Sequence, residues 1–104
     1  MKRYRVIIPP SVERQILEHL LYIARDSVDH ALTWERRLRA AIAHLADGPG
    51  FAIDPRASAR MGEPIHRYVF ERTYLVHYRV DRDRRRIELL NFRHGARLPD
   101  VEEP

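Results

Sequence analysis

At 104 residues the chain can build one hydrophobic core but leaves roughly 35 to 40% of its unfolded surface exposed after folding, which excludes a multidomain enzyme with a deeply enclosed active site. Charged residues make up 33% and apolar residues 44%, with four glycines, which excludes a low-complexity or disordered chain. The net charge is +4 and no cysteine is present, which removes disulfides, thiolate metal sites and thiol nucleophiles and fits a reducing cytoplasm.

The opening MKRYRVIIPP has a basic pair, but its apolar run is too short for a signal peptide, and no segment approaches the roughly 20 apolar residues that cross a bilayer. A soluble protein with no membrane partner is expected. Arg3 to Ile8 is short, β-branched and partly alternating, and Pro9-Pro10 ends it, which predicts an opening strand. Ser11 then offers an N-cap. Val12, Ile16, Leu20 and Ile23 recur at helical spacing, with Leu17, Leu21 and Ala24 widening the stripe. Arg25-Asp26-Ser27 breaks that pattern, and Ser27 or Asp29 caps a second helix with the apolar face Ala31, Trp34, Leu38, Ala41, Ile42 and Leu45. Asp47-Gly48-Pro49-Gly50 stops it. Two helices on so short a link form an antiparallel hairpin, and their stripes need a sheet to cover them.

Phe51 to Pro64 (FAIDPRASARMGEP) reads as a loop, either a mobile cover or an ordered lid. Three strand-like runs follow, Ile65 to Phe70, Thr73 to Val80 and Arg86 to Phe92, and their short polar connectors predict an antiparallel meander. In the middle run Tyr74, Val76, Tyr78 and Val80 are expected to face the helices, and Leu75, His77 and Arg79 the outside. A two-residue turn at Glu71-Arg72 pairs Ile65 with Tyr78, Arg67 with Val76 and Val69 with Tyr74 on the core side. The same turn pairs His66 with His77 and Tyr68 with Leu75 on the open side. The expected fold class is α+β: an N-terminal strand, an antiparallel helix hairpin, then a three-stranded antiparallel meander, forming one sheet packed on the helices. Residues 1–97 are expected to form a single domain and 98–104 a short acidic tail.

The last strand runs into Arg93-His94-Gly95-Ala96-Arg97, three potential cations around one glycine, whose mutual repulsion calls for something acidic or anionic at that edge. Of nineteen basic residues only Lys2 is lysine. Arginine's planar fork suits phosphate and carboxylate, so nucleic acid or an acidic protein accounts for the bias, as does a GC-rich genome. Basic groups beside rings bind phosphates and stack bases, and histidine with arginine can cleave RNA by acid–base chemistry. A solvated basic edge is the competing reading.

His66 and His77 as cross-strand neighbours lack a third ligand at metal spacing, and no HExxH or Cys-His pattern occurs, so neither metal nor cofactor is expected. His19, His30 and His44 read as solvated helix surface, and Trp34 as core. No Gly-rich phosphate loop, GxSxG or recognisable Ser-His-Asp set is present, which argues against nucleotide-binding and acyl-transfer enzymes.

Four pieces in this order span nearly the whole chain: Tyr22-Ile23-Ala24, the stripe Ala31, Trp34, Leu38, Ile42 and Leu45, the YLVHY of Tyr74 to Tyr78, and IELLNFRHGAR from Ile87 to Arg97. Together they resemble the RelE/ParE superfamily of bacterial type II toxin–antitoxin toxins. RelE-like members cleave mRNA in the ribosome with lysines on the strand corresponding to Ile65 to Phe70 and an arginine just after the tyrosine matching Tyr74. Those positions hold His66, Tyr68 and Leu75 here, and the tyrosine that many such nucleases carry near the C-terminus is missing from LPDVEEP.

ParE-like members end near an HGAR-like sequence and poison DNA gyrase. The resemblance therefore implies a ParE-like toxin that inhibits gyrase and arrests growth without catalysis of its own, with Arg93, His94 and Arg97 as target contacts. The alternative is a RelE-like mRNA interferase with His66, His77, Arg93, His94 and Arg97 as its catalytic set, or a nontoxic nucleic-acid-binding remnant. Either toxin mode implies an acidic cognate antitoxin whose DNA-binding N-terminal part takes the complex to operator DNA. Its flexible C-terminal segment is expected on Leu17, Leu21 and Tyr22 and on the sheet edge.

Overall fold

Pro9 and Pro10 do more than end a strand. In the computed structural model, which describes residues 3–48 and 52–95, β1 (Arg5–Ile7) is followed at once by α1 (Pro10–Ala24). Pro9 is the N-cap, and its carbonyl accepts from the amides of Val12 and Glu13. Pro10 takes the first turn, where its fixed φ suits the helix and its missing N–H costs nothing. Ser11 is therefore inside the helix rather than its cap.

Ser27 caps α2 (Val28–His44), its hydroxyl oxygen accepting from the His30 amide at 3.1 Å. The helices run antiparallel, since Glu13 near the start of α1 makes a bidentate pair with Arg39 near the end of α2 at 2.8 and 2.9 Å. That guanidinium also reaches Glu35, one turn back, at 3.2 Å. A 3₁₀ turn over Leu45–Asp47 closes the hairpin, while Pro49 and Gly50, the rest of the expected stop, lie outside the described residues.

The segment expected to be a loop is ordered structure. β2 (Ala52–Ile53) leads into α3 (Pro55–Met61), with Asp54 as N-cap, Pro55 in the first turn and Gly62 in the left-handed conformation at the C-cap. β3 (His66–Phe70), β4 (Tyr74–Asp81) and β5 (Arg86–His94) form the meander. The sheet order is β1-β5-β4-β3-β2, with β1 parallel to β5 and every other pair antiparallel. The α+β architecture read from the sequence is the one present, extended by β2 at the far edge.

The register of β3 differs by one residue from expectation. Phe70 pairs with Tyr74, so the loop holds three residues: Glu71 and Arg72 both take positive φ and Thr73 is added after them. A one-residue slip exchanges every side chain between faces. His66, Tyr68 and Phe70 therefore lie on the helix side, with His66 opposite Tyr78, while Arg67 and Val69 lie on the other face. Burial of Phe70 decides it: the ring sits in the core, which the expected register would have denied it.

β4 keeps its expected faces, and Val76 and Tyr78 are fully enclosed. In β5 a bulge at Leu90 switches parity, so that Ile87 and Leu89 before it and Phe92 after it all enter the core. The amide of Phe92 beyond this bulge donates to Gln15 Oε1 of α1 at 2.8 Å, tying sheet to helix. Val12, Ile16, Trp34, Leu38 and Ile42 complete the core from the helices.

Candidate functional site

The expected clusters are dispersed. His66 is buried on the helix side, stacked on Tyr78 with ring centroids 5.4 Å apart. His77 is buried on the opposite face and pairs across the sheet with Arg67 and Asn91. The two histidines expected to be cross-strand neighbours therefore lie on opposite faces, and the alternative catalytic set of His66, His77, Arg93, His94 and Arg97 is not assembled among the described residues. Arg93 and His94 are adjacent in a strand and so also project to opposite faces: Arg93 is exposed, across from Leu75, and His94 turns toward α1. Arg97 and the acidic tail lie outside the described residues.

His77 anchors the cover on the second face. Its Nε2–H donates to Asp54 Oδ2 at 2.7 Å, and its Nδ1 lies 3.1 Å from Asn91 Oδ1. Both partners of the first bond are almost wholly enclosed, Asp54 at 3% and His77 at 2% exposure. The other carboxylate oxygen of Asp54 accepts from the Ala57 amide at 3.0 Å, so one side chain starts α3 and pins it to β4. Burial pushes this carboxyl up, but the Ala57 amide, the His77 bond and the charge of Arg67 pull it further the other way, and it ends below its ordinary value.

Ser58 adds a second tie, its hydroxyl accepting from the Ile65 amide at 2.8 Å. Arg79 closes the margin with a bidentate bond to Glu63 at 2.7 and 3.0 Å and a contact to Glu88 at 3.4 Å. No sequence motif marked Asp54. The clue was DPRASARMG, which carries an N-cap, a first-turn proline and a terminal glycine.

Gly95 answers for the glycine among the three cations. Its amide donates to the Thr73 carbonyl, and a Cβ at this position would lie 2.8 Å from that oxygen. No side chain fits so close to a backbone carbonyl. This contact fixes the end of β5 and places His94 among His19 (centroids 6.0 Å), Tyr74 (5.4 Å) and α1.

His19, expected to be solvated, instead packs edge-on against Tyr74 at 5.3 Å and Phe92 at 5.5 Å. Its position three residues after Ile16 puts it on the inward stripe, a signal the sequence did contain. Burial above all, with the charge of Glu71 adding to it, raises the Tyr74 hydroxyl above its ordinary value. Burial likewise pushes the Tyr78 hydroxyl up to about 12. Among the described residues no group of three or more His, Cys, Asp or Glu side chains is placed to hold a metal ion.

The helix hairpin leaves an apolar margin in water: Leu17 is 48%, Leu21 58% and Tyr22 67% exposed, and Val28 and Leu32 continue it onto α2. Leu17 borders a groove between the helices that also involves Ile8, Leu20 and the Glu13–Arg39–Glu35 cluster. Among the described residues no helix is long and apolar enough to cross a membrane.

A mixed sheet packed on an antiparallel helix hairpin, with an apolar helix margin and a basic strand end, defines the RelE/ParE class of α+β domains. Within it, residues 6–99 match the family described as the ParE toxin of the type II toxin–antitoxin system parDE, and the chain belongs to that family. It is thus the toxin of a toxin–antitoxin pair, a class that acts together with a cognate antitoxin. No curated protein matches the chain.

Proposed function

We propose that this chain arrests growth in the cytoplasm by binding DNA gyrase, through the strand end carrying Arg93 and His94 and continuing to Arg97, and that it performs no bond-breaking chemistry of its own. Gyrase as target comes from the family resemblance. The preference for binding over cleavage rests on His77. RNA cleavage on the outer sheet face needs an accessible proton acceptor beside the positive charge. The corrected β3 register puts Arg67 on that face and the pairing with Leu75 puts Arg93 there, so charge is available, yet the His77 imidazole is enclosed beneath α3 and already bonded to Asp54.

The partner is an acidic antitoxin whose C-terminal segment covers Leu17, Leu21 and Tyr22 and whose N-terminal part carries the complex to operator DNA. The exposed apolar margin supports this placement, because such a surface on a small domain calls for cover. The +4 charge favours fast association with an acidic chain.

The test is a supercoiling assay, with the purified chain titrated into gyrase and plasmid while the same preparation is added to translating ribosomes. Lost supercoiling or trapped cleaved DNA with intact mRNA is the expected result. Codon-positioned mRNA cuts with gyrase untouched would establish the RelE-like mode instead. Growth arrest at full strength in Arg93→Ala/Arg97→Ala would show that the target surface lies elsewhere.

A further inference from the structure

The turn between β4 and β5 reads DRDRRR from Asp81 to Arg86, and the start of β1 brings Arg5 against it. Five arginines against two aspartates leave a local charge of +3, most of the chain's net +4. Arg5, Arg82, Arg84 and Arg85 are exposed and Arg86 is half-buried. Arg86 begins β5 and Arg93 is next to its end, roughly 20 to 25 Å along the strand, so this is a separate surface from the one assigned to the target.

Two features show that the arginines are held together against their own preferences. Arg85 stands at φ 53°, a conformation that favours glycine. It is kept there by two main-chain bonds, its amide donating to the Arg82 carbonyl at 3.3 Å and its carbonyl accepting from the Arg5 amide at 2.8 Å. Arg5 and Arg86 are register partners, and because Val6 and Ile87 turn to the core, both arginines face away from the helices. Like charges directly opposite one another destabilise a sheet. The nearby carboxylates give little relief: Asp81 accepts from the Arg84 amide at 3.1 Å and lies 3.8 Å from the Arg86 guanidinium, while Glu88 is shared with Arg79.

We propose that this end of the sheet binds the phosphodiester backbone of a nucleic-acid duplex, with Arg5, Arg84 and Arg85 contacting phosphates and no base being read. A phosphate beside Arg5 and Arg86 turns their repulsion into two attractions, and the bonded turn presents the guanidiniums without further ordering of the backbone. No ring occurs among Arg5 and residues 81–86, so a single strand has nothing on which to stack its bases. An acidic protein segment needs an apolar centre to its interface, and an anionic bilayer needs apolar side chains to receive. Ile53, the exposed large apolar side chain that borders the hollow beside Asp81, Arg82 and Asp83, lies on the β2 edge with three strands between it and β1. The inference does not use the gyrase reading, and its test contains neither gyrase nor antitoxin.

The test is fluorescence anisotropy with the purified chain and labelled duplexes of about 20 base pairs, two of DNA with unrelated sequences and one of RNA, between about 50 and 200 mM salt. With three phosphates neutralised, log K should fall against log salt with a slope of about −2.7, a loss of about fortyfold across the series. The two DNA duplexes should agree within about twofold, since backbone contacts carry no sequence information. The tighter of DNA and RNA identifies the source of the phosphates. Arg85→Gly removes one contact while relieving the positive φ, so the slope should become shallower by about 0.9 while the melting temperature rises. Adding Arg5→Gln and Arg84→Gln should abolish most of the remaining salt dependence. Arg36→Gln, an equal charge change at an exposed position on α2, should leave the slope as it is. Absence of binding at 50 mM salt would overturn the proposal, as would an unchanged slope in the turn variants or an equal loss in Arg36→Gln. Displacement of the duplex by polyglutamate as effectively as by unlabelled duplex would overturn it in favour of an acidic protein partner.

Discussion

Replacing Asp54 with alanine removes one side chain that does two jobs, and the cost can be worked from its bonds. The cap on α3, the Ala57 amide at 3.0 Å, is worth about 1 kcal/mol. Loss of the 2.7 Å bond strands the buried Nε2–H of His77, a penalty of about 2 kcal/mol. The total near 3 kcal/mol lowers the melting temperature by roughly 12 to 24 °C for a domain of this size, out of a total stability of about 5 to 15 kcal/mol.

Asp54→Asn separates the two jobs. It keeps a capping oxygen, and its amide can donate to Nε2 once the ring proton of His77 sits on Nδ1 facing Asn91 Oδ1, so it should cost only about 1 kcal/mol. Urea unfolding measures both variants, and amide hydrogen exchange locates the loss. Exchange at Ala57, Ser58 and Gly62 should quicken first in Asp54→Ala, because those amides hold the start and end of α3.

The acid limb gives an independent check. The folded-state value of Asp54 lies below its ordinary 3.8, so its contribution is complete above that pH and fades as pH falls through the lower folded value. Below about pH 4 the wild type should lose stability with falling pH while Asp54→Asn responds more weakly. Wild-type stability in Asp54→Ala, with unchanged exchange in α3, would refute the view that this pair fastens the helix to the sheet.

Three further outcomes follow from the geometry. Gly95→Ala drives a methyl against the Thr73 carbonyl and should cost about 1 to 3 kcal/mol in thermal unfolding while displacing His94. Arg85→Gly should stabilise the chain by about 1 kcal/mol, because Arg85 occupies positive φ at the β4–β5 turn and its backbone carbonyl still accepts from Arg5; differential scanning calorimetry reads the gain. Leu21→Asp places a charge on the exposed helix margin, so unfolding should shift by no more than about 0.5 kcal/mol while calorimetric affinity for the antitoxin drops at least about tenfold. Unchanged affinity would move the antitoxin to another face.

Much of the architecture was legible because it is written in short-range spacing. Val12, Ile16, Leu20 and Ile23 mark one helix face and Ala31, Trp34, Leu38 and Ile42 another, and all of them meet the core or its margin. The Ser27 cap and the alternation of Tyr74, Val76, Tyr78 and Val80 likewise depend on residues only two or three apart. The exposed Leu17, Leu21 and Tyr22 were visible as a stripe wider than one packing face needs.

The order and type of the major elements follow from local spacing, since a helix or strand pattern is set by neighbours a few positions apart. Long-range packing fixed which face each β3 residue took, because one extra loop residue, Thr73, reverses them all and burial of Phe70 selects the outcome. It decided too that Asp54 meets His77 across 23 residues, that Leu90 bulges so Phe92 can enter the core, and that His19 stands beside His94 rather than in water. Partnerships of that kind come from the packing of the whole chain, where each buried polar group must find its mate among residues that no local spacing brings together.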